Sequence, residues 1–414
     1  MYTESTPPPA TATTHRCPVD HDHISQQKTA RMIERAEPAI ERDAQGVWHV
    51  RSFAAARAIL RSDNTKQAGF KAELIERLPQ SMNPPILYQE GQPHHQQRKQ
   101  TARFFTPKAV SQNYRQLMQR YADLLMTRLR TRKRADLSDL SLSMAVRVAA
   151  EVIGLTNSRT PGMARRLNAF FSNDSMELSW HPRSIWSLIK NQARVGIFFY
   201  LDVKPAIAAR RMAPREDVIS HLIEIGYNDR EILTECVTYG AAGMVTTREF
   251  ISIATWHLLE QPALRDRFVH GDDEERQAIL QEVLRLEPVV GHLLRRATAP
   301  LSIETEAGTV TIAAGDLIDL HVYAANADED VIGERALQVC PARPLSDPKA
   351  TPPMMSFGDG HHRCPGAYVA LQETEIFLQR LLALPSLRIE QKPSIRWNDL
   401  TAGYEIRDFV IAVE

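Results

Sequence analysis

Ser356-Phe-Gly-Asp-Gly-His-His-Arg-Cys-Pro-Gly366 sets one cysteine between a glycine-kinked, histidine-rich turn and a Pro-Gly step. Gly358 and Gly360 admit backbone angles that other residues resist, so the chain can fold back sharply there. Pro365 suits the first position of a helix, where a fixed φ helps and a missing N–H costs nothing. Cys364 is therefore expected at a helix N-terminus, where unpaired N–H groups and the adjoining Arg363 favour a thiolate. One thiolate cannot satisfy zinc, and the run His361-His362-Arg363-Cys364 is too compact to wrap an ion. It can be the single protein ligand of an iron already held by four porphyrin nitrogens. Taken alone, Cys364 is better read as an inert buried thiol beside a turn.

The rest of the chain narrows the choice. At 414 residues and 43% hydrophobic content it can build a large core. Lys and Arg together number 50, as do Asp and Glu, so no basic excess points to nucleic acid. Cys17, Cys236, Cys340 and Cys364 are scattered and form no paired motif, which argues against a disulfide framework and for a reducing cytoplasm. The start, MYTESTPPPATATTHR, has no apolar core of a secretion signal, and no run of about 18 apolar residues follows, so no membrane span is expected. Residues 1–23 read as a flexible tail, in which His15, Cys17, His21 and His23 lack a scaffold for a metal. Residues 24–414 read as one domain.

Periodicity gives a mainly α fold with small accessory β-sheets. Gly46 to Val50 alternates like a strand, and Phe53 to Leu60 has helical spacing. Leu142 to Ile153 is apolar on most faces and stops at Gly154, as a helix inside a bundle does. A long helix is expected from Asp229 to Glu260 and another from Ala367 to Leu384. Leu301–Glu304 and Thr309–Ile312 read as a hairpin, and Leu387–Glu390 and Phe409–Val413 as short strands.

The pattern Phe357-x-x-Gly360-x-His362-x-Cys364-x-Gly366 resembles the haem-binding signature of the cytochrome P450 family, of the soluble bacterial type. The resemblance implies a helical bundle enclosing haem b. Cys364 becomes the axial iron ligand, Phe357 and Gly358 lie beside the sulfur, and His362 bonds a haem propionate. Three further marks follow in register. Glu282-x-x-Arg285 with Arg343 resembles the buried cluster that locks the loop before the signature. His94-x-x-x-Arg98 and Arg295 resemble the positions that hold the haem carboxylates, and a spacing of four puts His94 and Arg98 on one helical face. The stretch from Tyr239 to Glu249 resembles the oxygen-binding helix: Ala242 and Gly243 match its small pair and Thr246 its threonine.

One position departs. Where the family has an acid this chain has Val245, which can neither ionise nor anchor a water chain. Glu249, one turn on, is either a substitute proton source through water or half of a structural ion pair with Arg248. Alignment to the family's variable segments places Ile86, Leu87, Tyr88, Met244, Val245, Val290, Leu293, Leu294 and Tyr404 around the substrate, with Phe170, Phe171, Trp180 and Trp186 in the lid region. The implied activity is insertion of one oxygen atom of O2 into a lipophilic small molecule. Electrons come from a separate ferredoxin-type donor and its reductase, for which Arg98, Lys99, Arg103 and Lys108 form a candidate docking patch. A peroxide-driven or phenol-coupling oxidase, or a non-catalytic haem sensor, are the other readings.

Overall fold

A computed structural model describes residues 27–29, 38–70, 72, 83–171, 192–305, 308–341, 343–399 and 401–414, with the side chains of 168–171 left aside. The expected tail, Trp180 and Trp186 and the side chains of Phe170 and Phe171 lie outside the described residues. In chain order the principal helices are α1 (Phe53–Arg61), α2 (Gly91–Thr101), α3 (Arg115–Arg132), α4 (Leu137–Ile153), α5 (Asp229–Gly240), α6 (Thr246–Glu260), α7 (Asp273–Leu286) and α8 (Ala367–Leu382).

Chain chemistry explains the boundaries. Asp136 caps α4 by accepting the Ser138 N–H, and Gly154 ends it with φ +101°, a conformation that costs glycine little. Asn228 opens α5 with a reciprocal capping box to Glu231. The expected helix over 229–260 is continuous but not uniform: Ala241–Val245 forms a π-turn between α5 and α6. Such turns widen a helix locally and recur at functional sites.

Helices α3 to α8 bury one large apolar cluster that includes Met118, Leu129, Val148, Ile253, Leu280 and Phe377. A second cluster, with Val50, Ile59, Ile318, Leu320 and Met355, packs α1 against a five-stranded sheet. That sheet contains β1 (Ile40–Arg42), β2 (Trp48–Val50), β3 (Thr65–Gln67), β4 (His292–Ala297) and β5 (Leu317–His321), in the order β1-β2-β5-β4-β3. Only β2 and β5 run parallel; the other neighbours are antiparallel. The predicted hairpin pairs Leu301–Thr305 with Gly308–Ile312, and a second hairpin pairs β6 (Ser394–Asn398) with β7 (Gly403–Arg407).

Among the described residues no helix is long and apolar enough to cross a membrane. Cys236 and Cys364 are free thiols, whereas Cys340 is disulfide-bonded. That bond corrects the expectation of uniformly reduced cysteines: sequence spacing alone does not report a pairing made by the fold.

Candidate functional site

The cysteine turn is built from two 3₁₀ turns, Met354–Phe357 and Gly360–His362, joined through Gly358 and Gly360 at φ +67° and +65°. Gly360 is also required by space, since a Cβ there would sit 2.1 Å from the Leu60 carbonyl oxygen. The turn is pinned to α1 by Asp359, which accepts from Arg57 at 3.2 Å and from Arg61 at 2.9 Å. The loop closes when the Cys364 N–H donates to the Phe357 carbonyl at 2.8 Å. The sulfur then meets the backbone N–H groups of Gly366 and Ala367 at the start of α8, with the Arg98 and Arg363 charges nearby.

These donors do act in the expected direction, yet the Cys364 thiol is held above its ordinary value. Burial outweighs them, because placing a charge among protein atoms costs more than two N–H groups and two partly distant guanidiniums return. The residue keeps exposed surface while protein surrounds it closely, as a side chain facing an internal cleft does. The expectation of a thiolate set by the helix terminus and Arg363 alone is thus corrected: the lone chain favours the neutral thiol.

Behind the loop lies a cluster of buried charges. Arg285 donates to both Glu282 oxygens at 2.8 Å, and the Cys340 N–H donates to Glu282 at 3.0 Å. Arg343 lies 3.6 Å from Glu282 and donates to the Glu334, Arg335 and Gln338 carbonyls. Glu282 and Arg285, singled out by spacing, and Arg343, implied by the resemblance, therefore meet. A fourth, Asn326, carries the cluster to the cysteine loop. It accepts the Met355 N–H at 2.8 Å and donates to the Ser356 hydroxyl at 2.7 Å, while its own carbonyl accepts from Arg285 at 2.8 Å.

On another side of the loop the predicted carboxylate-binding groups come together. His94 stacks on His362 with ring centroids 4.2 Å apart. Arg98 donates to the Arg363 carbonyl, and Arg295 is buried, donating to the Gln67 side chain at 2.5 Å and the Leu294 carbonyl at 2.9 Å. Among the described residues neither Arg98 nor Arg295 has an ion-pair partner within 4.0 Å. The one acid present is Glu90, which sequence reading missed; it accepts from His362 at 3.0 Å and from the Gln67 N–H at 2.8 Å. Burial pushes Glu90 up, but His362, the Gln67 N–H and Arg295 together hold it below the usual carboxylate range. Burial pushes Arg295 down to about 10 and, with the neighbouring His362 and Arg98 charges, His94 down to about 3. Nδ1 of His94 and Nε2 of Gln67 are buried without a hydrogen-bond partner. The set has a surplus of donors and positive charge, which suits a group bearing two carboxylates.

The distal stretch separates into residues that face open space and residues that do not. Ala242 is exposed, and Gly243 and Thr246 are half-buried. The Thr246 hydroxyl donates to the Ala242 carbonyl across the π-turn. Met244 instead turns into the large apolar cluster and Val245 is buried, which corrects their placement at the substrate. Tyr404 is likewise a core residue: it is buried on β7 and donates to the Glu287 carbonyl at 3.0 Å. Glu249 is buried too, and both its oxygens are taken. Oε1 pairs with Arg248 at 2.7 Å and Arg407 at 2.8 Å, and Oε2 accepts the Ile406 N–H at 2.7 Å. Its place is to fasten α6 to β7, so the structural reading of Glu249 prevails over the proton source.

Leu87, Val290, Leu293 and Leu294 are half-buried, as is Tyr88, whose hydroxyl donates to the Phe70 carbonyl at 2.5 Å. Leu293 lies beside the cysteine loop, 3.9 Å from where a Gly358 Cβ would be. Of the expected docking patch, Lys99, Arg103 and Lys108 are exposed, while Arg98 points inward to the loop.

A family model described as Cytochrome P450 matches residues 276–399. The erythromycin C-12 hydroxylase of Saccharopolyspora erythraea is 27% identical over 357 residues, 84% of each chain. The biotin biosynthesis cytochrome P450 of Bacillus subtilis is 25% identical, over 83% of this chain and 84% of its own. Among solved structures CalO2 aligns with a TM-score of 0.73 at 22% identity, over 92% of this chain and 94% of its own.

Two substitutions test the roles assigned to buried polar groups. Asn326→Ala strands one buried donor, the Met355 N–H, and two acceptors, the Arg285 carbonyl and the Ser356 hydroxyl oxygen, and is expected to cost about 2–4 kcal/mol in denaturant unfolding. Glu249→Gln leaves Arg248 and Arg407 short of a counter-charge and is expected to cost about 3 kcal/mol. The same variant should leave the ratio of product formed to reductant consumed unchanged, which coupled turnover assays measure.

Proposed function

Because the chain belongs to the cytochrome P450 family and is a haem b monooxygenase of that family, we propose that Cys364 is its axial iron ligand and that its substrate is a lipophilic small molecule. The observation that carries this reading is the cysteine turn: one sulfur, presented at the start of α8 by a loop whose every turn is fixed by hydrogen bonds to α1 and to Asn326. Haem, when bound, supplies activation of O2 and insertion of one of its oxygen atoms into substrate, with the second leaving as water.

The chain's own residues bind, orient and exclude. His94, Arg98, Arg295 and His362 hold the two carboxylates of the group, whose charge completes the orphaned donors described above. Phe357 shields the sulfur from water. Ala242, exposed, keeps the helix wall low, while Gly243 packs on α4, where a Cβ would meet the Ala149 methyl at 3.5 Å. Thr246 spends its own proton on the Ala242 carbonyl, so its oxygen is left as an acceptor that can hold a proton-bearing water or substrate hydroxyl. Leu87, Val290 and Leu293 give the substrate side an apolar lining with few polar contacts, whereas Leu294 falls on the opposite face of β4, which corrects its placement there. Relatives named for hydroxylation of erythromycin and for biotin biosynthesis support a small organic substrate.

Electrons are taken from a separate ferredoxin-type carrier and its reductase, docking where Lys99, Arg103 and Lys108 are exposed. Glu216 and Glu224 stand 3.7 and 3.9 Å from Arg103 and weaken its part of that patch. One observation favours a second reading. Ala242 to Thr246 contains no acid and Glu249 is spent on Arg248, Arg407 and Ile406, so peroxide, which brings its own protons and electron pair, is a natural co-substrate.

Reduced protein treated with carbon monoxide is expected to give a thiolate-type Soret band that Cys364→Ser abolishes; retention of that band overturns the ligand assignment. Thr246→Ala is expected to lower product per reductant consumed about tenfold or more with carrier and air. Turnover with peroxide alone, unaffected by Thr246→Ala, selects the second reading.

A further inference from the structure

The five-stranded sheet gathers imidazole and carboxylate groups on its face turned away from the cysteine turn. The register pairs His49 with Asp319 and His292 with His321, and side chains alternate along a strand. His49, Asp319, His321 and His292 therefore project from one face, while Val50, Ile318 and Leu320 fill the second core cluster from the other. Nδ1 of His49 lies 2.9 Å from Nε2 of His321. Oδ2 of Asp319 lies 3.5 Å from each of those two nitrogens. Three ligand atoms thus form a triangle; His49 and Asp319 are partly accessible and His321 is buried.

We propose that this triangle is a transition-metal site of the zinc class, with His49 Nδ1, His321 Nε2 and the Asp319 carboxylate as ligands and a fourth position open to water. Tetrahedral bonds of about 2.0–2.1 Å place ligand atoms about 3.3 Å apart, so only the two imidazoles have to separate, by about half an ångström. The donor set of two imidazoles and one carboxylate suits zinc, nickel or copper and not magnesium or calcium, which take oxygen donors throughout. The surrounding residues are those an ion needs. Asp43 Oδ2 accepts from His49 Nε2 at 3.1 Å, which leaves the Nδ1 lone pair facing the centre. Nδ1 of His292 donates to both Asp319 oxygens, at 2.9 and 3.0 Å, and orients that carboxylate. Bound metal clips β2 to β5 from the side opposite the apolar core. Without it, a single hydrogen bond between the two rings joins the same groups, a weaker tie.

Zinc itself is the probe. Tag-free full-length holoprotein, equilibrated with zinc chloride and freed of excess, is expected to retain one zinc per chain by elemental analysis and to compete with a chromogenic chelator. His49→Ala and His321→Ala should each weaken retention about 100-fold, and Asp43→Asn about 10-fold. Because His15, His21 and His23 also offer donors, the measurement is repeated with those three changed to alanine, and retention should not change. Should His321→Ala fail to fold, His49→Gln at a partly exposed position carries the test, its fold checked by the carbon monoxide spectrum. Sub-stoichiometric zinc in the wild type, or zinc that His49→Ala and Asp319→Asn keep, overturns the proposal.

Discussion

The bidentate pair between Glu282 and Arg285 is the interaction on which the cysteine loop rests. Buried charges are tolerated when their hydrogen-bonding groups find partners, and here every nitrogen of Arg285 and both oxygens of Glu282 do. Glu282 takes two bonds from Arg285 and one from the Cys340 N–H, and Arg343 stands alongside. Arg285 has a nitrogen left over, which reaches the Asn326 carbonyl; the Asn326 amide then reaches Met355 and Ser356. Ser356 returns to the Leu284 carbonyl on α7. The circuit starts and ends on one helix and has no spare member, so the loop has one position in which all partners are satisfied. That single position, and not the stiffness of the loop itself, is what fixes the sulfur relative to α8.

Fixing the sulfur and ionising it are separate tasks, and the chain performs only the first. The helix-terminal N–H groups and two arginines lower the cost of a negative sulfur, but burial raises it by more. A cation at the sulfur reverses the balance, since a coordinated thiol is deprotonated outright. The neighbouring cluster shows the complementary bias. Among the described residues Arg98 and Arg295 have no ion-pair partner within 4.0 Å, and His94 is held neutral with Nδ1 unbonded. Sulfur and cluster lean in opposite electrostatic senses, and one group bringing a metal cation and two carboxylates would satisfy both.

How much of this could be read from residues alone depended on where the partners lie along the chain. Glu282 and Arg285 were legible because a spacing of three on a helix is a statement about space. His94 and Arg98 were legible for the same reason. Asn326, Gln67 and Glu90 were not, because their contacts join positions about 23 to 272 residues apart. The errors have one origin. Met244, Val245 and Tyr404 were placed by their order in the chain, and order does not give rotation about a helix or the face of a strand. The π-turn at Ala241–Val245 adds to the difficulty, since it shifts the phase of every residue after it. The disulfide at Cys340 escaped for the simplest reason, that pairing is a property of the fold.

Strand β4 shows how a period of two lets one short segment serve two chemistries. Leu293 and Arg295 fall on the same side, one against the cysteine loop and the other beneath the carboxylate-binding cluster. His292 and Leu294 fall on the opposite side, level with His321 and Asp319 on β5. A slip of one residue in the pairing of β4 with β5 would exchange the two sets, burying His292 in the second core and carrying Arg295 away from Gln67. What prevents the slip is the apolar row Val50, Ile318 and Leu320, which can be buried in only one register. The same hydrophobic constraint that closes the sheet therefore sets both the arginine that faces the cysteine side and the histidines that face away from it, and neither site can be moved without the other.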